Sequence, residues 1–139
     1  IRDVAVTGVQ TCALPISGLP QIELHLLPGR VRPTTHAAVG ADTVTALHEL
    51  RADVAFIATN GITTGHGLTT PDPDEAATKR AIIACARRTV VLADSTKFGV
   101  ETAVRFATLD SLDVLVTDTG TDASDRRAME QAGIEVVVA

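Results

Sequence analysis

The stretch Thr89-Val90-Val91-Leu92-Ala93-Asp94-Ser95-Thr96-Lys97-Phe98-Gly99 constrains the fold more than any other part of this chain. An unbroken apolar run that follows a helical segment reads as a buried strand of a parallel sheet. In open α/β sheets, ligands sit beyond the carboxyl ends of such strands. Asp94, Ser95, Thr96 and Lys97 stand at that end, and the chain has no lysine besides Lys79 and Lys97. A lysine there supplies a point charge for a small anion, and the hydroxyls of Ser95 and Thr96 add donors. The plain reading of the same residues is a structural Asp94 that accepts local backbone N–H bonds, with a solvated Lys97 beside it.

Composition suits a parallel sheet as well. Apolar residues make up 45% and aromatics only 2%, so Val, Ile, Leu and Ala must fill the core. A chain of 139 residues is enough for one domain. The net charge is −5, and no basic run exceeds Arg87-Arg88 or Arg126-Arg127. A domain that grips nucleic acid by its phosphates shows a basic face, so direct DNA binding by this polypeptide is not expected. No apolar stretch approaches the ~20 residues of a membrane span, and a cytoplasmic location with no membrane partner is expected. Cys12 and Cys85 lack CxxC spacing, and His25, His36, His48 and His66 form no HxxxH or HxH pair. Neither a metal nor a cofactor is therefore expected.

Residues 1–17 (IRDVAVTGVQTCALPIS) stand apart. They lack the basic start and unbroken apolar stretch of a signal peptide. They resemble, in frame throughout, the translation of an Illumina-type sequencing adapter, with Val4-Ala5 at the variable index. On this reading 1–17 is a non-native segment and native sequence begins near Gly18. The alternative is a genuine N-terminal strand.

Along the remainder, Gln21–Leu27 alternates like a strand and breaks at Pro28-Gly29. Residues Arg30–Val39 read as a polar connector, Ala41–Arg51 as an amphipathic helix and Asp53–Ala58 as a second buried strand. Thr59–Pro71 reads as a glycine-bearing loop. Asp72 then caps a helix with Pro73 in its first turn and Glu75 three residues past the cap. That helix is expected to reach Arg88, with its last arginines at the negative dipole end. A connector follows over Val100–Leu112, then a strand Asp113–Thr117, a helix from Asp122 to Gly133 and a strand Ile134–Val138. This order gives an α/β fold with a mostly parallel, Rossmann-like sheet.

Three places carry candidate chemistry. The glycine loop would lay Thr59, Asn60, Gly61, Gly67 and Thr69 over the carboxyl edge of the sheet, where glycines allow close approach to a ligand. It is neither GxGxxG nor a P-loop, and a plain turn is the competing reading. Asp94, Ser95 and Lys97 form the second place. Lys79 is the third: it either pairs with Glu75 on the helix surface or points toward the loop. His66 in the loop reads as an acid–base group or an inert surface residue, and Asp118 as a cleft or turn residue. No catalytic serine–histidine–acid order can be assigned.

The segments GLTTPDPDEAATKRAII, VVLADSTKFG and LDVLVTD, with LLPGRVRPTTHAAVG and RADVAFIATNGI, resemble the C-terminal sensor domain of DeoR-type (GlpR-like) bacterial transcriptional regulators. The resemblance covers 18–139. It implies a domain similar to ribose-5-phosphate isomerase and glucosamine-6-phosphate deaminase, and a role as the effector-sensing part of a repressor of a sugar catabolic operon. The implied partner is a phosphorylated sugar. DNA would be contacted only through an N-terminal winged helix that this sequence lacks, and the intact regulator would be a homo-oligomer. The family's early phosphate loop also has no counterpart here, so the sheet is expected to be partial, with an exposed apolar face or edge. Lys97 corresponds to a lysine near the sugar phosphate in the deaminase-like enzymes. Asn60 stands where related enzymes carry a carboxylate, which implies binding without turnover. The alternatives are a fragment of such an isomerase or deaminase, or a truncated translation without function.

Overall fold

A computed structural model of the protein describes residues 4–5, 19–21 and 23–139. Most of the adapter-like segment lies outside the described residues. Its Val4–Ala5 forms strand β1, which pairs in parallel with β2 (Leu24–His25).

The frame is a four-stranded, all-parallel sheet in the order β11-β10-β8-β5. Its strands are β5 (Ala52–Ala58), β8 (Ala86–Leu92), β10 (Val114–Thr117) and β11 (Glu135–Val138). Three helices accompany it: α1 (Ala41–His48), α2 (Pro73–Cys85) and α3 (Ala123–Gln131). Pairing of Ile57 with Val91 and of Val91 with Leu115 puts their side chains on one face of the sheet. That face packs with Ala76 of α2, Met129 of α3 and residues of a second sheet into the main core. A smaller cluster joins Leu47 of α1 to Ala81 and Cys85 of α2. Burying each Val, Leu, Ile, Phe or Met of these clusters contributes about 1.5–3 kcal/mol, and the alanines less.

The helix ends follow the sequence signals at two places. Asp72 caps α2 by accepting the Glu75 N–H at 2.8 Å, with Pro73 in the first turn. After α3, Gly133 takes φ +87°, its N–H returns to Glu130 O at 3.0 Å and the Ile134 N–H to Met129 O at 3.1 Å, the bond pair of a glycine-terminated helix.

Four expectations are corrected. The helix after Asp72 stops at Cys85, not Arg88, and Ala86 is already the first residue of β8. Arg87 and Arg88 thus lie on a strand, where Arg88 pairs with Glu135 at 2.8 Å. The segment read as a loop over Thr59–Pro71 contains a hairpin, β6 (Gly61–Thr63) and β7 (Gly67–Thr70). The connector Val100–Leu112 contributes β9 (Val104–Ala107), which pairs with β7 to complete a three-stranded antiparallel sheet. The connector Arg30–Val39 holds a small antiparallel arm, β3 (Arg30–Val31) and β4 (Ala38–Val39).

Among the described residues the opposite face of the parallel sheet is apolar and partly exposed: Val90 and Val114 are buried on it, whereas β5, read from the sequence as a buried strand, is exposed along it. Val54, Phe56, Leu92 and Val137 project from it, Phe56 with 65% of its surface exposed. Among the described residues, β5 pairs only with β8 and leaves one sheet edge free.

Candidate functional site

The carboxyl ends of β8 and β10 close on each other through two carboxylates. Asp94, two residues past β8, accepts the Thr96 N–H at 2.9 Å and the Thr96 hydroxyl, which caps a single 3-10 turn over Ser95–Lys97. Asp118, next after β10, accepts the Ser95 N–H at 3.2 Å and the Gly120 N–H at 2.8 Å. Gly120 fits closely here: a Cβ would stand 2.7 Å from Ser95 Oγ and 3.0 Å from Asp118 Oδ1, so those side chains would have to shift. The Thr96 hydroxyl and amide hold Asp94 below the ordinary aspartate range, and the Ser95 amide does the same for Asp118. Both groups are therefore charged at neutral pH. Lys97 Nζ lies 4.0 Å from Asp94 Oδ2, and its side chain keeps 36% of its surface. Leu92, Ala93, Asp94, Val116, Thr117, Asp118 and Ala139 line an open cleft of about 360 Å³. The cleft offers fixed carboxylate acceptors for hydroxyl groups, and the nearby Lys97 is a cation outside its lining that can meet an anionic group.

A second group sits on the same edge, above β5. Lys79 does not lie on the helix surface. Its Nζ reaches down from α2 to donate to Ala58 O at 2.9 Å, at the end of β5, and lies 5.1 Å from the centre of the Phe106 ring. Glu75 holds it there at 3.3 Å. Burial lowers the Lys79 pKa, and Glu75 acts in the opposite direction. The pairing foreseen from the sequence exists, but it is buried: the side chains keep 11% and 13% of their surface. The other cation on Glu75 is Arg32 Nη1 at 2.5 Å, whose Nη2 also lies 3.3 Å from Asp72. Arg32 falls in the segment read as a connector, and sequence reasoning missed it. The signal available was the alternation Arg30-Val31-Arg32, a strand pattern with both charges on one side.

The glycine run needs the largest correction, because it does not lie open over the edge. Thr59 is buried and its Oγ1 donates to Gly61 O at 2.8 Å, with Thr69 O at 3.1 Å. Thr69 is fully buried, and its Oγ1 accepts the Thr102 N–H at 3.0 Å. A Cβ on Gly61 would stand 2.2 Å from Val100 O, and one on Gly67 would stand 2.3 Å from Ala107 O. Gly67 also has φ +86°. These glycines let strands pack closely, which is why the run looked like a ligand loop. Of the five residues named there, Asn60 alone is exposed, held in place by its backbone N–H on Thr69 O at 3.1 Å. His66 is exposed in the hairpin turn. Among the described residues no three His, Cys, Asp or Glu side chains gather as metal ligands, and no helix is long and apolar enough to cross a membrane.

The model of the DeoR C terminal sensor domain family matches residues 4–119. The chain is 36% identical over 115 residues to the HTH-type transcriptional regulator GlpR of Haloferax volcanii, covering 83% of this chain and 45% of that protein. It is 40% identical over 98 residues to the uncharacterized HTH-type transcriptional regulator FruR of Bacillus subtilis, covering 70% and 39%. It is 28% identical over 133 residues to the HTH-type transcriptional repressor GlcR of the same organism, covering 96% and 51%. The chain thus spans about half the length of the curated relatives it matches.

Proposed function

The chain belongs to the DeoR C terminal sensor domain family, and from that premise we propose that it is the effector-sensing part of a sugar-responsive transcriptional repressor. Its ligand is a phosphorylated sugar, bound at the carboxyl edge of the parallel sheet. Lys97 meets the phosphate, Asp94 and Ser95 meet hydroxyl groups, and Asn60 closes the site from the β5 side. The observation that carries this reading is that Asp94 and Asp118 line one cleft at the ends of two adjacent parallel strands, with the Lys97 ammonium 4.0 Å from Asp94 at its margin. Asn60 offers an amide in place of a carboxylate that could shuttle a proton, which supports binding without turnover. DNA contact belongs to a helix-turn-helix element such as the relatives' names specify. The regulator acts in the cytoplasm as a homo-oligomer.

The test is calorimetric titration of the chain with inorganic phosphate, glycerol 3-phosphate and fructose 1-phosphate, before and after Lys97→Ala. Loss of a charge-assisted contact should weaken binding about tenfold or more. The melting temperature should hardly move, because Lys97 is half-exposed and its ion pair is long. Equal affinity in the two proteins would remove Lys97 from the site. Turnover of either sugar phosphate by the unmodified chain would overturn the sensor reading.

A further inference from the structure

Arg32 is on no element that ends at the cleft, yet it touches a chain of contacts that reaches the turn at Asn60. The β3–β4 arm pairs through only two residues on each strand. A hairpin this short does not stand alone in water. Its turn closes on itself by Arg32 N–H to Ala37 O at 2.9 Å and His36 N–H to Arg32 O at 2.7 Å, with His36 at φ 52°. What ties it to the body is Val39, fully buried, and a set of ion pairs to the start of α2. Arg30 meets Asp74 at 2.8 Å in the open, while Arg32 spans Asp72 and Glu75 with 19% of its side-chain surface left. A planar guanidinium can bridge two carboxylates at once, which an ammonium cannot do in the same geometry.

From Arg32 the contacts run inward without a gap. Glu75 is held between Arg32 and Lys79, and Lys79 donates to the carbonyl of Ala58, the residue before Thr59-Asn60. We propose that Arg32 is a positioning residue for the ligand turn: by fixing Glu75 it keeps the Lys79 ammonium on Ala58 O and so sets where Asn60 stands. Docking of the arm and binding of a phosphorylated ligand are then linked, and linkage is reciprocal: the ligand tightens the arm as the arm tightens the ligand. This inference rests on the effector site described above. It adds that the site reports outward through a hairpin it does not touch.

The experiment uses the whole 139-residue chain and the tightest of the three probes, inorganic phosphate, glycerol 3-phosphate or fructose 1-phosphate. Arg32→Gln should weaken binding about tenfold. In a Glu75→Gln background the same change should cause no further loss, because Arg32 acts through Glu75. An additive loss would mean that Arg32 meets the ligand itself, and would overturn the relay. Amide hydrogen exchange on the unmodified chain gives a second readout that needs no variant to fold. Amides of residues 30–39 should exchange more slowly with the probe bound, and unchanged exchange there overturns the inference. If Arg32→Gln binds like the parent while Lys97→Ala does not, the relay fails and the effector site stands. If the unmodified chain binds none of the probes, the effector site itself falls and takes the relay with it.

Discussion

Glu75→Gln is the change that most directly probes how the edge is held. The substitution keeps shape and removes one charge from a carboxylate whose side chain is 11% exposed. It leaves two cations in place, Arg32 at 19% and Lys79 at 13%. Removing one partner of a buried ion pair costs about 3–5 kcal/mol, mostly because the remaining charge stays buried without compensation. Here Asp72 still faces Arg32 at 3.3 Å, and Ala58 O still accepts from Lys79 at 2.9 Å. Those contacts place the expected loss at the lower end, about 3 kcal/mol. A domain has only about 5–15 kcal/mol in all. With a urea slope of about 2 kcal/mol per molar, the unfolding midpoint should fall by about 1.5 M. Lys79→Met provides the contrast, since it removes the buried cation and leaves Glu75 paired with Arg32. It should cost less than about 1.5 kcal/mol.

The pH dependence follows the same logic. Lys79 has a folded-state pKa below the ordinary 10.5, so the unfolded chain binds the extra proton between those two values. Stability should therefore rise with pH across that interval, and Lys79→Met should flatten the rise. Urea unfolding at neutral and alkaline pH measures both effects. A Glu75→Gln loss under about 1 kcal/mol, or an equal loss from Lys79→Met, would refute the buried-network argument.

Other outcomes follow from single features. Leu115→Ala, at a fully buried position of the core, should cost about 2–5 kcal/mol in a urea melt, whereas Phe56→Ser on the open face should stay within about 0.5 kcal/mol and raise solubility. Gly61→Ala forces a Cβ to within 2.2 Å of the Val100 carbonyl, and about 1–3 kcal/mol of stability should be lost. Asp94 should titrate below 3.8 by carbon NMR, and Thr96→Ala should move it back up by removing the first of its two donors. Whatever stability that group adds is present at neutral pH and is lost only as pH falls through its folded value. A midpoint at or above 3.8 in the parent would contradict the capping geometry.

The parallel frame was readable from the sequence because strand and helix signals alternate strongly there. Asp72-Pro73-Asp74-Glu75 announces a helix start by chemistry that does not depend on tertiary context. The second sheet was hidden for the opposite reason. Its β6–β7 hairpin starts both strands at glycines, Gly61 and Gly67, which local propensity assigns to turns and which mask the strand preference of the threonines beside them. What makes it a sheet is contact with β9, more than thirty residues on, which no local window contains. The end of α2 failed similarly. Arg87 and Arg88 satisfy a helix-dipole pattern, yet pairing of β8 with β5 claims them from Ala86 onward. At the site, Asp94, Lys97 and Asp118 were legible as strand-end residues. Arg32 was not, because its role comes from a contact with Glu75 forty-three positions away.

The direct joint between α2 and β8 has a mechanical consequence. Cys85 ends the helix and Ala86 begins the strand, so no loop separates α2, with Lys79 at its middle, from β8, the strand that precedes the turn holding Lys97. Helix and strand run in opposite senses and bring both lysines to the same edge of the sheet. The pair therefore behaves as a folded lever with a stiff elbow. A tilt of the helix is passed directly to the start of β8, because no loop lies between Cys85 and Ala86 to absorb it.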